Sequence, residues 1–268
     1  MTNLTEHRFL LCNVPMDALT YEDLIMLING AKASRERLVI LHHNLHGLYM
    51  YLTNKEFQSA YQNASYAYVD GMPIIWFGKV AGFRVNKEHR ITFLDCFDLI
   101  LSESQSRNWR VFYLGSTPEV LDRGLTILRE KYPRLALRGR DGYFSKSGSE
   151  SDEVIDEINS FCPDILFVGM GMPTQELWLA NYRDKIRAAA ILTSGATLDY
   201  VTGHAYRPPA WVGNLGLYGV CRMFSDPMRL WRRYLVEPTV VAWYLLPGVL
   251  RQRFASRRRG AEVGTLRL

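Results

Sequence analysis

Three short stretches carry the groups that could do chemistry. Asp70, in Val69-Asp70-Gly71-Met72-Pro73, is a carboxylate placed directly after an apolar run and directly before a glycine. Within hydrogen-bond reach of a hydroxyl such a group acts as a general base; from position alone it could equally cap a helix beginning near Met72. The stretch Gly169-Met170-Gly171-Met172-Pro173-Thr174-Gln175-Glu176 reads as a turn that opens a helix. Exposed backbone N–H groups and the helix dipole favour phosphate oxygens at such a place. Gln175 could donate and accept there or lie on the surface, and Glu176 could be a ligand contact or a first-turn acid. His42-His43-Asn44-Leu45-His46 has the look of a metal cluster, but it lacks nearby carboxylates, so no metal is expected there. No Asp-x-Asp occurs to hold a hard cation.

These residues need a scaffold that brings them together. Apolar runs rich in β-branched and aromatic residues recur at Leu38–Leu41, Tyr66–Val69, Val111–Leu114, Ile165–Val168 and Ala189–Leu192. Amphipathic stretches at 20–33, 92–104, 118–131 and 151–160 alternate with them, Pro118 and Ser151 serving as start signals. The alternation predicts an α/β, Rossmann-like, mostly parallel sheet with flanking helices. Ligands of such sheets bind outside the carboxyl ends of the strands. That edge holds His42-His43-Asn44, Asp70-Gly71, Gly115-Ser116-Thr117, the turn from Gly169 to Glu176, and Thr193-Ser194-Gly195-Ala196. Gly115, Ser116 and Gly171 suit close backbone approach to a nucleotide diphosphate.

The 268 residues are 48% hydrophobic and 22% charged, enough for one or two substantial cores. Four widely spaced cysteines form no C-x-x-C pair, which fits a reducing compartment, and no signal peptide is readable at the N-terminus. The net charge of +5 is unevenly spread: from His204 onward there are eleven Arg, no Lys and three acids. Aromatic and apolar residues interleave with these arginines from Trp211 to Leu250, a composition suited to an anionic membrane surface rather than nucleic acid, for which no recognised module appears. Glu237, Pro238 and Pro247 make the stretch 234–250 too short and broken to span a bilayer. A catalytic body over 1–203 and an Arg-rich, helical, membrane-associating appendage over 204–268 are therefore expected.

The Val69–Pro73 stretch, the Gly169–Glu176 turn, Gly195-Ala196-Thr197-Leu198-Asp199, and the series Gly203, Arg207–Trp211, Arg222, Asp226-Pro227, Arg229 and Arg232-Arg233-Tyr234 resemble the WecG/TagA/CpsF glycosyltransferase family. Within it, His-His-Asn-Leu-His looks most like the xanthan-type exopolysaccharide glucosyltransferases. The resemblance implies inverting, metal-independent transfer from a UDP-sugar, UDP-glucose in the first reading, to a polyprenyl-diphosphate-linked saccharide. The linkage read first is β-1,4-glucosyl, and transfer of N-acetylmannosamine or N-acetylmannosaminuronate is the alternative. It places the base on Asp70 and donor contacts on Asn44 and Gln175. Arg90 and Thr92 match a family position before a helix, and Arg207, Arg222, Arg229 and Arg232 would meet the acceptor's diphosphate. Peripheral attachment to the cytoplasmic face of a bacterial inner membrane follows, without organic cofactor and with room for a homo-oligomer.

The sequence departs from the family where His42 replaces the usual Thr, where Thr174 replaces Lys or Arg, and where Tyr218-Gly219 replaces Glu-Trp. His42 could substitute for the hydroxyl or be a packed histidine. A nicotinamide-dependent oxidoreductase is disfavoured because the turn after Leu38–Leu41 lacks G-x-G-x-x-G. A non-catalytic membrane-binding protein would explain the arginines but not the polar strand ends.

Overall fold

Eight strands form one sheet in the order β1-β2-β4-β3-β8-β7-β5-β6. They are β1 (Arg8–Leu11), β2 (Val14–Asp17), β3 (Leu38–His43), β4 (Tyr66–Val69), β5 (Arg110–Gly115), β6 (Ala136–Arg140), β7 (Ile165–Gly169) and β8 (Ala190–Thr193). Every pairing is parallel except that of β1 with β2, a hairpin turning at Cys12 and Asn13, both at positive φ. The computed structural model describes residues 7–265 apart from 35, 207, 209–211, 214, 215, 217 and 226, and gives backbone only for Tyr218, Val220, Ser225, Arg229 and 255–265.

Because successive side chains of a strand face opposite ways, the central strands feed two cores. Val39, Leu41, Phe112, Leu114, Leu166 and Val168 enter one. Ile40, Val111, Tyr113, Ile165 and Phe167 enter the other. On the second face lie α1 (Tyr21–Ser34), α5 (Phe93–Ser106), α6 (Pro118–Lys131) and the short α9 (Thr197–Val201). The first carries α2 (Leu45–Thr53), α3 (Lys55–Gln62), α4 (Met72–Ala81), α7 (Ser149–Phe161) and α8 (Thr174–Tyr182). All five expected strands and all four expected helices are present. The first hairpin and β6 are additions to that expectation. β1 and β2 are four residues each, and β6 reads Ala-Leu-Arg-Gly-Arg with no buried residue, so neither offers the apolar signature of an inner strand.

After α10 (Tyr218–Ser225) and α11 (Pro227–Trp231) comes a π-helical turn, Arg232–Val236, and then α12 (Glu237–Thr265). The expectation of a broken segment is corrected here: the helix continues directly from the π-helical turn through Pro238 and Pro247. Val241, Leu245 and Val249, spaced four apart, are fully buried and join the first core against α2 and α4. Gly248 lies over Cys12, where a Cβ would come within 2.6 Å of its Sγ, and Gln252 Nε2 donates to Leu10 O at 2.9 Å. Among the described residues no helix is long and apolar enough to cross a membrane.

Candidate active site

β3, β4, β5, β7 and β8 are parallel and end on one edge, which the turns that follow them share. Asp70 leaves β4 with its N–H donating to His43 O at 2.8 Å, so the two strand ends stay in register. Gly71, at φ +132, turns the chain into α4 and is its N-cap, with no side-chain cap bond. The N-cap position thus falls on Gly71 and not on Asp70. Burial pushes its pKa up to about 6, against the pull of the Arg90 guanidinium; Asp95 raises it further, while a hydrogen bond from Asn44 and the charge of Arg233 lower it. Asn44 Oδ1 caps α2 by accepting from Gly47 N at 2.9 Å, which leaves its amide N–H groups for Asp70. Arg90 is held beside β4 by a bridge to Val69 and donates from Nη1 to Thr92 Oγ1 at 2.7 Å.

The two halves of the sheet meet at β3 and β8, the topological switch point. There His42 Nδ1 lies 3.0 Å from Thr193 Oγ1, and Tyr61 donates its hydroxyl proton to His42 O at 2.6 Å. Burial and then the Arg233 charge drive the His42 pKa down to about 4, so its ring is neutral at physiological pH. His43, stacked on Tyr61 at 4.2 Å, is held lower still, at about 3, chiefly by burial. Among the described residues no three His, Cys, Asp or Glu side chains are grouped to hold a metal ion.

The far wall is built from closely packed backbone. Gly115, at φ +151, sits so near Gly169 that a Cβ would come within 2.2 Å of its carbonyl oxygen, and a Cβ on Gly169 would strike the Tyr113 hydroxyl. Ser116, at φ +63, and Ser194 present buried hydroxyls near the Tyr113 phenol, neither with a well-formed hydrogen bond among the described residues. Gly171, at φ +77, leads into α8. Gln175 is fully buried: its Nε2 donates to Glu176 Oε1 at 2.7 Å and its Oε1 accepts from Gly195 N at 3.2 Å. Burial raises the Glu176 pKa to about 7. This pair thus joins the turn after β7 to the turn after β8.

The C-terminal arginines divide. Arg232 is exposed, 5.8 Å above the Trp231 ring, and Arg222 lies 5.5 Å from the centroid of Tyr200. Arg207 and the side chain of Arg229 fall outside the described residues. Arg233, absent from the sequence-based set, is part-buried and its charge acts on both His42 and Asp70. Burial lowers its own pKa. The tandem Arg232-Arg233 hides which member faces inward; the π-helical turn that decides it has no composition signature, although such turns favour functional sites. His46 Nδ1 meets Glu237 Oε2 at 2.6 Å and fixes the start of α12 to the start of α2 beside this cluster.

A carboxylate of raised pKa, hydroxyl-bearing glycine turns and an inward arginine fit transfer chemistry on a phosphorylated ligand. Comparisons with known proteins agree. An N-acetylglucosaminyldiphosphoundecaprenol N-acetyl-beta-D-mannosaminyltransferase of Bacillus spizizenii is 27% identical over 191 residues, 71% of this chain and 72% of that protein. A protein of the same name from Staphylococcus aureus strain MW2 is 28% identical over 182 residues, 67% and 69% of the two chains. These relatives carry N-acetylmannosaminyl names rather than the glucosyl one that the histidine run suggested. The model of the Glycosyl transferase WecG/TagA/CpsF family matches residues 9–259, and the chain is a glycosyltransferase belonging to that family.

Proposed function

We propose that the chain transfers an N-acetylmannosamine-type sugar, with inversion, from a UDP donor to a polyprenyl-diphosphate-linked saccharide. The observation that carries the reading is Asp70, tuned to about 6, at the strand edge between Asn44, Arg90 and Arg233. In a single displacement the acceptor hydroxyl gives its proton to the Asp70 carboxylate as its oxygen attacks the anomeric carbon. The bond from that carbon to the UDP phosphate oxygen breaks on the opposite face, and the electron pair leaves on the diphosphate. The N-terminus of α8 beyond Gly171 and the hydroxyls of Ser116 and Ser194 suit the donor's phosphates and sugar. Arg233, with Arg222, suits the acceptor's diphosphate.

The relatives' names favour N-acetylmannosamine over glucose as the donor sugar. The His42 run keeps UDP-glucose as the second reading. Incubating the protein with a panel of UDP-sugars and short lipid-linked acceptors, and weighing the products, tests both. No product with any pair would remove the proposal.

Membrane attachment is the further part of the reading. The outward face of α12 exposes Trp243, Tyr244, Leu246, Leu250 and Phe254, and Phe224, Met228 and Leu235 are exposed as well. With Arg251 and Arg253 alongside, this supports an interfacial helix at an anionic surface.

A further inference from the structure

Between α4 and α12 lies an apolar cavity of about 350 Å³. This is within the roughly 300–1,000 Å³ of sites that hold small molecules. Leu45, Pro73, Trp76, Val80, Pro238 and Leu246 line it, and no lining residue is titratable. Its inner end is formed by three helix starts that belong to the catalytic cluster: Leu45 follows Asn44, Pro73 lies three residues beyond Asp70, and Pro238 follows the His46-bound Glu237. From Pro73 to Val80 it follows α4 outward for about 10 Å. The Trp76 indole is backed by Gly216, where a Cβ would fall 2.6 Å from the ring. At the outer end Trp76 and Leu246 are about half exposed, at 47% and 45%.

We infer that this cavity is the subsite for the first isoprene units of the acceptor's lipid. The inference rests on the lipid-linked acceptor proposed above. A sugar or phosphate placed among these side chains would lose its hydrogen bonds with water and gain none, so the occupant is hydrocarbon. Continuity with the site identifies which hydrocarbon. An acceptor with its hydroxyl at Asp70 and its diphosphate near Arg233 has its lipid leaving toward Pro238, five residues along the chain from that arginine. The cavity takes the lipid there and releases it beside the exposed aromatic face of α12. The enzyme thereby reads the lipid as well as the sugar, and draws the diphosphate out of the headgroup layer toward the base.

The test uses water-soluble acceptors without membrane: the same sugar diphosphate capped by methyl, geranyl or farnesyl. For the full chain KM should fall by on the order of tenfold or more from methyl to farnesyl, as buried hydrocarbon predicts. Val80→Asp and Leu246→Asp should flatten that dependence, and both positions are exposed enough for the protein to fold, which a thermal melt verifies. Val80→Trp, which fills the cavity without adding charge, should do the same. Calorimetry with farnesyl diphosphate against inorganic diphosphate reads the cavity without turnover. Equal affinities, or a chain-length dependence that survives all three substitutions, would overturn the subsite. So would a dimer in solution that Leu246→Asp dissolves, since a second copy would then cover the cavity. Preferential farnesyl diphosphate binding, abolished in the variants, with no transfer to any of these acceptors would sustain the subsite and remove the proposed donor and acceptor pairing instead.

Discussion

His42 and Thr193 join the two halves of the sheet through a 3.0 Å contact between Nδ1 and Oγ1. The resemblance places a threonine where His42 stands, and the ring fills space that a shorter hydroxyl would leave beside Tyr68, whose ring lies 5.7 Å away. We expect His42→Thr to change the ratio of kcat/KM between UDP-sugars by about tenfold or more, since a reshaped polar wall discriminates through groups it leaves unpaired. The donor panel reads this directly. An unchanged ratio at lower thermal stability would mark His42 as a packing residue only. Because the ring titrates only at about pH 4, no histidine limb in the physiological range should belong to it.

Asp70→Asn should lower turnover by roughly 10²–10⁴ while UDP binding persists, because the amide keeps the shape and loses the base. In the wild type the base must be ionised, so activity should fall as pH drops through about 6. Stability runs the other way. A carboxyl whose folded pKa lies above its unfolded 3.8 stabilises the native state only while protonated, and that contribution is lost as pH rises through about 6. At pH 8 the Asn variant should therefore unfold later than wild type, by up to about 3 kcal/mol before relaxation of the site reduces it. Chemical denaturation at pH 5 and pH 8 checks the sign. A variant no more stable than wild type at pH 8 and fully active would falsify the assignment.

The strand ends that carry this site are legible because buried parallel strands read as unbroken apolar runs, and the residue after each run is then fixed. Asn44, Asp70, Ser116 and Gly171 follow from that rule. What stays hidden depends on rotation and on partners distant in sequence. Gln175 and Glu176 have the composition of a surface helix start, yet α8 places both inside, where they join two turns. Val241 and Leu245 read as part of a lipid-facing run because Val240–Leu246 is almost wholly apolar. Only the packing against α2 and α4 separates the inward face from the outward one.

Arg233 and Arg232 differ by one position and by which side of the helix they face. Arg233→Ala should reduce kcat/KM for a diphosphate-bearing acceptor by roughly 10²-fold, the scale of removing a charge-assisted hydrogen bond from a partly buried site. Arg232→Ala, at an exposed position, should cost less than about threefold, as is usual for surface substitutions. Steady-state kinetics with a short-chain acceptor in detergent compares them. If the two lose activity equally, the inward arginine has no special part.

Activity should persist in excess EDTA. The family resemblance implies metal-independent transfer, in which leaving-group charge falls to arginine and backbone N–H groups. Product formation measured with EDTA, and then with Mg²⁺ or Mn²⁺ added back, checks this. A loss reversed only by one of those ions would sink the metal-free mechanism.

The two faces of α12 should separate in mutagenesis. Leu245→Ala removes a fully buried side chain from the first core and should cost roughly 2–5 kcal/mol whether or not membranes are present. Deleting 235–268 should expose the same core and yield an unstable chain, so truncation is a poor test of attachment. Trp243 and Phe254 are 81% and 62% exposed, and replacing both with Ser should leave the melting temperature within a few degrees. Vesicle binding should nevertheless fall, because those rings have their area to bury only at a bilayer. Reversing Arg251, Arg253 and Arg257–Arg259 should remove a different share, about 1 kcal/mol for each charge near an anionic surface, which salt also screens. Co-sedimentation with neutral and anionic vesicles across salt concentrations separates the two. The ring variants should lose the salt-resistant part and the charge-reversed protein the salt-sensitive part. If both sediment like wild type, the outward face binds something other than lipid.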